Sequence, residues 1–242
     1  MNLVLFEADE IGRPLPRSDR RVRHVLDVLR RGEGEPFDAG VINGPRGRAR
    51  LATVAAVAAG AVTFAFEPSH PADTPPAITL LAGLPRPQTA RDILRDATTL
   101  GVAALHFVIT EKTEPGYARS TLWTSGEWRR HAIAGAEQAF DTRLPEVTWG
   151  RLLAAVTASL AAGGDRIALD NYESPAPFGA ALLAPGRPVV LAVGGERGWS
   201  AADRATLRAA CFTFHHLGRR VLRAESAVVA ALAIARARLG LM

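Results

Sequence analysis

Two short stretches hold the residues whose types and spacing could do chemistry. The first runs Val189-Val190-Leu191-Ala192-Val193-Gly194-Gly195-Glu196-Arg197-Gly198-Trp199-Ser200. Its five apolar residues suit a parallel strand covered on both faces, and Ser200 suits the cap of a following helix. The glycines between them permit positive φ and let a ligand approach the backbone closely. Ligands of open parallel sheets bind beyond the carboxyl ends of the strands, so the chemistry suggested is ligand capture by backbone groups. The Gly-x-x-x-Gly spacing also resembles a degraded dinucleotide fingerprint, which would make the chain a nucleotide-dependent oxidoreductase. That fingerprint belongs on the first strand of a nucleotide fold, whereas this one follows a late strand. By itself the loop is as readily a tight turn as a site. The second stretch is Leu217-Gly218-Arg219-Arg220-Val221-Leu222-Arg223-Ala224-Glu225-Ser226-Ala227, which opens a helix. The first amides of a helix are free. The segment therefore reads either as a solvated basic turn with Glu225 as partner of the helix dipole, or as an anion or nucleic-acid contact beside the ligand loop.

Together the two stretches resemble the C-terminal signatures of the RsmE family, the uridine-N3 methyltransferases of small-subunit ribosomal RNA. That family shows Ile-Gly-Pro-Glu-Gly-Gly-Phe-Ser and, about twenty residues on, Leu-Gly-x-Arg-Ile-Leu-Arg-Thr-Glu-Thr-Ala; the counterparts here are Val193 to Ser200 and Leu217 to Ala227. Upstream, Arg23-His24-Val25-Leu26-Asp27-Val28-Leu29-Arg30 resembles the family's N-terminal helix. Thr98 to Val102, Ala136 to Gln138 and Arg143 to Val147 resemble three further family segments, so the likeness spans nearly the whole chain. Gly195 and Arg197 stand where the family has proline and glycine, Thr99 replaces a glutamate, Arg86 a lysine, and Asp141 falls near an arginine. These departures bear on the identity of the RNA target more than on the fold. They keep open a divergent member that methylates another RNA site, or one that binds RNA without catalysis.

The resemblance implies an α/β domain of the SPOUT class with a C-terminal trefoil knot, preceded by a small PUA-like β-barrel. It implies S-adenosylmethionine as cofactor, held by Leu169, Val193, Gly194, Gly195, Glu196, Gly198, Leu217, Gly218, Val221 and Leu222. At Gly218 a β-branched side chain would be expected to clash with the ligand. The reaction implied is methylation of uridine N3 in 16S ribosomal RNA. Arg223 would stabilise the charge on the base, with Arg220 second in that role, and Glu225 would hold an arginine or receive a proton. Arg23, His24, Arg30, Arg46, Arg48 and Arg86 become the RNA contacts. The partners implied are ribosomal RNA or the small ribosomal subunit, and a second copy of the chain packed through the closing helix.

The elements that must position these residues fall into three zones. Residues 1–70 alternate short apolar segments with turns: Asn43-Gly44 is a hairpin signal, Arg50 to Ala58 and Val62 to Phe66 read as strands around an Ala59-Gly60 turn, and Asp19 to Arg31 reads as a helix. Glu67 to Pro76 is too proline-rich for a regular element, and residues 71–76 are assigned as a linker. Residues 77–242 alternate strand and helix. Strands are expected at Ile78–Gly83, Leu105–Ile109, Arg166–Leu169 and Val189–Val193, and helices at Thr89–Leu100, Gly126–Ala139, Ser200–Ala210 and Glu225–Leu239. The arginines of residues 1–70 suggest a division of labour, with RNA affinity there and cofactor and chemistry in residues 77–242.

Composition narrows the field only modestly. The formal charge of +5 favours a polyanionic partner, although Lys112 is the single lysine and the codon bias of a GC-rich genome explains much of the arginine content. Cys211 is the single cysteine, so no internal disulfide can form and a reducing cytoplasm fits. Among alanines it reads as a small core residue. No apolar run is long enough for a membrane span, no secretory leader is evident, and no zinc or calcium spacing occurs; His215-His216, adjacent in sequence, make poor joint ligands. Trp123 and Trp128 read as core or dimer interface more than as a platform for a flipped base. Lys112, Tyr117 and Arg119 form a loop that could meet RNA or only solvent.

Overall fold

The computed structural model describes residues 3–52, 60–74, 77–184 and 186–242. They form two compact units, one of Met1–Thr74 with Ala136–Leu144, the other of Pro75–Gly135 with Pro145–Met242.

The first unit contains β1 (Val4–Phe6), β2 (Leu15–Pro16), α1 (Arg20–Arg23), β3 (Pro36–Val41), β4 (Arg46–Leu51), β5 (Ala61–Val62) and β6 (Phe64–His70). Strands β1-β3-β4-β6 make one sheet, and β2 pairs with β5 in another. Asn43 takes the left-handed conformation, φ 56°, that an Asn-Gly hairpin needs, so β3 and β4 pair antiparallel as the sequence suggests. Asp19 caps α1 by accepting a hydrogen bond from the Arg21 amide, and the helix continues as a wider π turn over His24–Val28. Val4, Phe6, Phe37 and Phe64 from the strands and Val22 and Val25 from the helical segment are buried in one core. Glu67 to His70 departs from expectation: it extends β6 and pairs with β4. Proline is tolerated there because β6 lies at the edge of its sheet, where one side of the strand needs no donor. Of the strand expected at Arg50 to Ala58, residues 53–58 lie outside the described residues, as do Ala59 of the expected turn and Pro75-Pro76 of the expected linker.

The second unit comprises β7 (Ile78–Gly83), α2 (Pro87–Thr99), β8 (Ala104–Ile109), α3 (Thr121–Thr124), α4 (Glu127–Ala139, whose last turn belongs to the first unit), β9 (Glu146–Leu152), α5 (Leu153–Ser159), β10 (Asp165–Leu169), β11 (Ala176–Pro177), β12 (Val189–Val193), α6 (Ala201–Ala209), β13 (Thr213–His216) and α7 (Ala224–Arg238). The sheet order is β11-β13-β10-β12-β7-β8-β9, with every neighbouring pair parallel. Strand β12 is apolar throughout and β7 nearly so, Thr79 being its one polar residue, because helices cover both faces, as parallel sheets require. From β7 the chain moves to β8 and β9 on one side; it later returns to β10 and places β12 between β10 and β7. Register aligns Ala82, Val193, Leu169 and His215 in one row. The loops leaving four neighbouring strands therefore begin at the same level.

One expectation about this unit needs revision. Cys211 is exposed, not core, and sits at φ 61° where the chain turns left-handed after α6. The apolar circumference of α7 is in part used inside the chain, since Ala224, Val228, Ala231, Leu232 and Ala235 are buried in the main core. Trp123 is buried as the core reading expects, stacked 5.2 Å from Trp149. Trp128 packs against Trp149 at 5.9 Å. Among the described residues no helix is long and apolar enough to cross a membrane, and no cluster of histidine, cysteine and carboxylate side chains could hold a metal.

Candidate functional site

Beyond that row of strand ends lies a cavity of about 630 Å³. Strand β10 contributes Leu169 to Tyr172, β12 contributes Val193 to Trp199, and the segment after β13 contributes Leu217 and Val221 to Glu225; Arg86 and Thr89, at the start of α2, close the fourth side. The volume suits a small-molecule ligand, for which pockets run from about 300 to 1,000 Å³.

The glycines are required by close backbone approach. A Cβ at Gly83 would lie 2.5 Å from the Gly195 amide nitrogen, and one at Gly194 only 3.0 Å from the Gly198 Cα. The loop after β12 is thus folded back on itself and pressed against the end of β7, with Gly198 at φ 61°. Glu196 fixes it from one side, its carboxylate accepting a 3.0 Å hydrogen bond from the Arg86 amide at the start of α2, where the helix dipole favours negative charge. Lys112 braces the loop from another side. Its ammonium donates to the Arg197 carbonyl at 3.0 Å and the Trp199 carbonyl at 3.2 Å. The Arg197 guanidinium pairs with Glu114 at 3.6 Å. Trp199 is buried and donates its indole N–H to the Leu169 carbonyl at 3.0 Å, tying the loop after β12 to the end of β10. Ser200 then starts α6 in a reciprocal capping box with Asp203.

The loop after β10 is held by a buried carboxylate. Asp170 accepts hydrogen bonds from the amides of Tyr172, at 2.6 Å, and Glu173, and from the Arg204 guanidinium. Burial alone would push the Asp170 carboxyl up, but Arg204 and the two amides outweigh it and keep the group below the ordinary carboxylate range. Arg204 also pairs with Glu173, which in turn meets Arg208. This network leaves Tyr172 at the cavity edge, 82% exposed, with Arg204 5.7 Å from its ring centre.

Of the residues expected to hold a cofactor, the structure brings Leu169, Val193, Gly194, Gly195, Glu196, Gly198, Leu217, Val221 and Leu222 to this cavity. Gly218 does not line it. A Cβ there would meet nothing of the chain within 4 Å, and glycine suits the left-handed φ of 109° at that position. Arg223 and Glu225 line the cavity and Arg220 does not. Arg86 lines it as well, while the other five residues expected to contact RNA lie in the first unit. There, Arg23 and Arg30 are exposed and form no ion pair among the described residues, and His24 is half-buried. Arg48 pairs with Asp38 at 3.2 Å. Arg46 does not project freely from the hairpin. It donates to the Phe140 carbonyl at 3.1 Å, pairs with Asp73 at 3.2 Å and lies over the Phe140 ring. Sequence reasoning missed Asp170, Asn171 and Tyr172 as cavity residues, and it missed the bracing role of Lys112. A turn beginning with a short acidic residue just past an apolar strand was the available signal.

Comparison with known proteins agrees with this geometry. A family model described as an RNA methyltransferase domain matches residues 72–236. The ribosomal RNA small subunit methyltransferase E of Treponema pallidum is 34% identical, the alignment covering 97% of this chain and 90% of that one. The protein of the same name from Synechocystis is 31% identical over 88% of this chain and 69% of its own. Among solved structures, ribosomal RNA small subunit methyltransferase E from Neisseria gonorrhoeae bound to S-adenosyl methionine superposes with a TM-score of 0.76 at 23% identity, covering 98% of this chain and 97% of that one. A methyltransferase from Legionella pneumophila in complex with bound SAM gives a TM-score of 0.81 at 22% identity, with the same coverage of each chain. The chain belongs to the RNA methyltransferase family, and within it to the ribosomal RNA small subunit methyltransferase E proteins whose motifs its two glycine- and arginine-bearing stretches resemble.

Proposed function

We propose that this protein methylates N3 of a uridine in 16S ribosomal RNA with S-adenosylmethionine as donor. The carrying observation is that both motifs shared with the family meet at one cavity, at the carboxyl ends of neighbouring parallel strands. The residues present fit the cofactor. The glycine loop, closely packed at Gly194 and Gly195, offers backbone groups, and Leu169, Val193, Leu217, Val221 and Leu222 offer an apolar wall. When bound, S-adenosylmethionine supplies a methyl group on a positively charged sulfur, an electrophile that needs no activation by the protein. The work left to the chain is to orient the base and manage its proton. Uridine N3 carries a proton at neutral pH, so an N3–C bond forms only as that proton leaves. Arg223 stabilises the negative charge that develops on the base, and Glu225, two residues on, takes the proton or orients the arginine.

The finer architecture completes this reading. The segment from β12 to α7 forms the trefoil knot of the SPOUT class, the first unit is a PUA-like barrel that contributes RNA affinity, the closing helix joins two copies, and the protein works in the cytoplasm. A stripe of small residues on α7, Ser226, Ala230, Ala233 and Ala237, is not buried within the chain and suits a close helix pair. The boundary assignment of residues 1–70, 71–76 and 77–242 serves this division of labour. The alternative of RNA binding without catalysis drew on a bulky cation in the glycine loop, and that cation is engaged by Glu114.

Isothermal titration of the protein with S-adenosylmethionine, followed by nucleoside mass spectrometry of small subunits incubated with both, tests the proposal. Saturable heat and new N3-methyluridine are expected, with Arg223→Ala retaining the heat and losing the product. Absence of heat in the unaltered protein would overturn it.

A further inference from the structure

We infer that Tyr172 is a stacking platform for an unpaired base of the RNA substrate at the mouth of the cavity. The inference rests on the function proposed above. Both tryptophans that the sequence offered for such a role are used inside the second unit, Trp123 buried in its core and Trp128 packed on Trp149. Tyr172 is the strongly exposed aromatic among the residues lining the cavity, with 82% of its surface free. Folding does not call for an aromatic ring in that place, since the ring buries almost nothing.

The ring is nevertheless held. The Tyr172 amide is fixed at 2.6 Å by the buried Asp170 carboxylate. The Arg204 guanidinium lies 5.7 Å from the ring centre and is itself only 11% exposed, pinned by Asp170 and Glu173. A cation fixed against an aromatic ring restrains it and leaves the rest of its surface available. The surroundings favour RNA over a protein partner. Arg219, Arg220 and Arg223, all exposed, form no ion pair among the described residues, and Val221 beside them is 79% exposed. Arg223 lines the same cavity as Tyr172, and a free arginine together with an exposed aromatic is what single strands use, phosphate charge on one and base stacking on the other. Every base has a π face, so this contact would set how tightly the strand is held and leave base identity to the cavity.

The test uses the full chain and a single-stranded oligoribonucleotide with 2-aminopurine beside the target uridine. The unaltered protein should quench the 2-aminopurine. Tyr172→Ala should lose the quenching and weaken binding about 5- to 150-fold, the range for one stacked base. Tyr172→Phe and Tyr172→Trp should keep both. Unchanged affinity and quenching in Tyr172→Ala would refute the platform while leaving the proposed function intact. Conversion of a dimer to a monomer by Tyr172→Ala in light scattering would refute it too, by making the ring an interface between copies. Loss of cofactor binding in the unaltered protein would instead sink the function on which the inference rests.

Discussion

Replacing Gly83 with alanine tests whether close backbone approach shapes the cavity. The added Cβ would lie 2.5 Å from the Gly195 nitrogen, 3.2 Å from the Gly194 carbonyl carbon and 3.3 Å from the Gly195 Cα. All three are backbone atoms, so no flexible side chain can yield. Ordinary contact begins near 3.4 Å, and the loop after β12 must therefore recede by roughly 1 Å. Overpacking of this kind costs about 1–3 kcal/mol. In a domain of this size each kcal/mol lowers the melting temperature by about 2–4 °C, giving an expected drop of about 2–12 °C. The displacement falls on the loop that carries Glu196 and forms one cavity wall, and a misplacement of that size can cost about a hundredfold in a positioned site. Calorimetry should show weaker S-adenosylmethionine binding, and a thermal melt the loss of stability. Gly218→Ala is the control, since a Cβ there meets nothing and only its φ of 109° is strained; it should lose stability and spare more of the affinity. A Gly83→Ala protein that melts and binds like the parent would refute the reasoning.

Three further outcomes follow from the same geometry. Lys112→Met removes both hydrogen bonds to the Arg197 and Trp199 carbonyls; at about 1 kcal/mol for a solvent-exposed brace, S-adenosylmethionine affinity should fall about fivefold, and an unchanged titration would count against the brace. Asp170→Asn breaks a buried pair with Arg204, for which about 3–5 kcal/mol is usual, and chemical denaturation should register a loss of that order. Because the Asp170 carboxyl lies below its ordinary range when folded, its contribution is complete above the unfolded value and is lost as pH falls through the folded one. The parent should therefore lose stability more steeply below about pH 4 than Asp170→Asn does, and parallel curves would contradict that assignment.

Much of the site could be read in the sequence because it is local. A strand, a glycine loop and a capped helix lie within Val189 to Ser200, and the second wall lies within Leu217 to Glu225. The strands that matched expectation most closely, β7 and β12, are covered on both faces and so are apolar but for Thr79. Those that escaped are mixed or short: β9 lies at the sheet edge, holds Gly150 at φ 76° and shifts register against β8, and β13 is only Thr213–His216. Contacts between distant residues left no local trace. Lys112 reaches 85 residues along the chain to Arg197, and Arg46 reaches 94 to Phe140. A hairpin arginine reads the same in sequence whether it faces solvent or another segment.

The assignment of Ala136–Leu144 to the first unit bears on how the chain is made. That segment supplies the Glu137 carboxylate, 2% exposed, to Arg20 at 3.0 Å, the Glu137 carbonyl to the Leu3 amide at 3.2 Å, and the Thr142 hydroxyl to the Gly44 carbonyl at 2.7 Å. It leaves the ribosome about sixty residues after Thr74. At about 5–20 residues per second, the first unit waits roughly 3–12 s for its last piece while α2, β8 and most of α4 emerge. A nascent chain stopped before residue 136 should consequently be cut by protease within residues 1–74, and one extended past residue 144 should resist. The unit whose synthesis begins first therefore waits on a segment made much later.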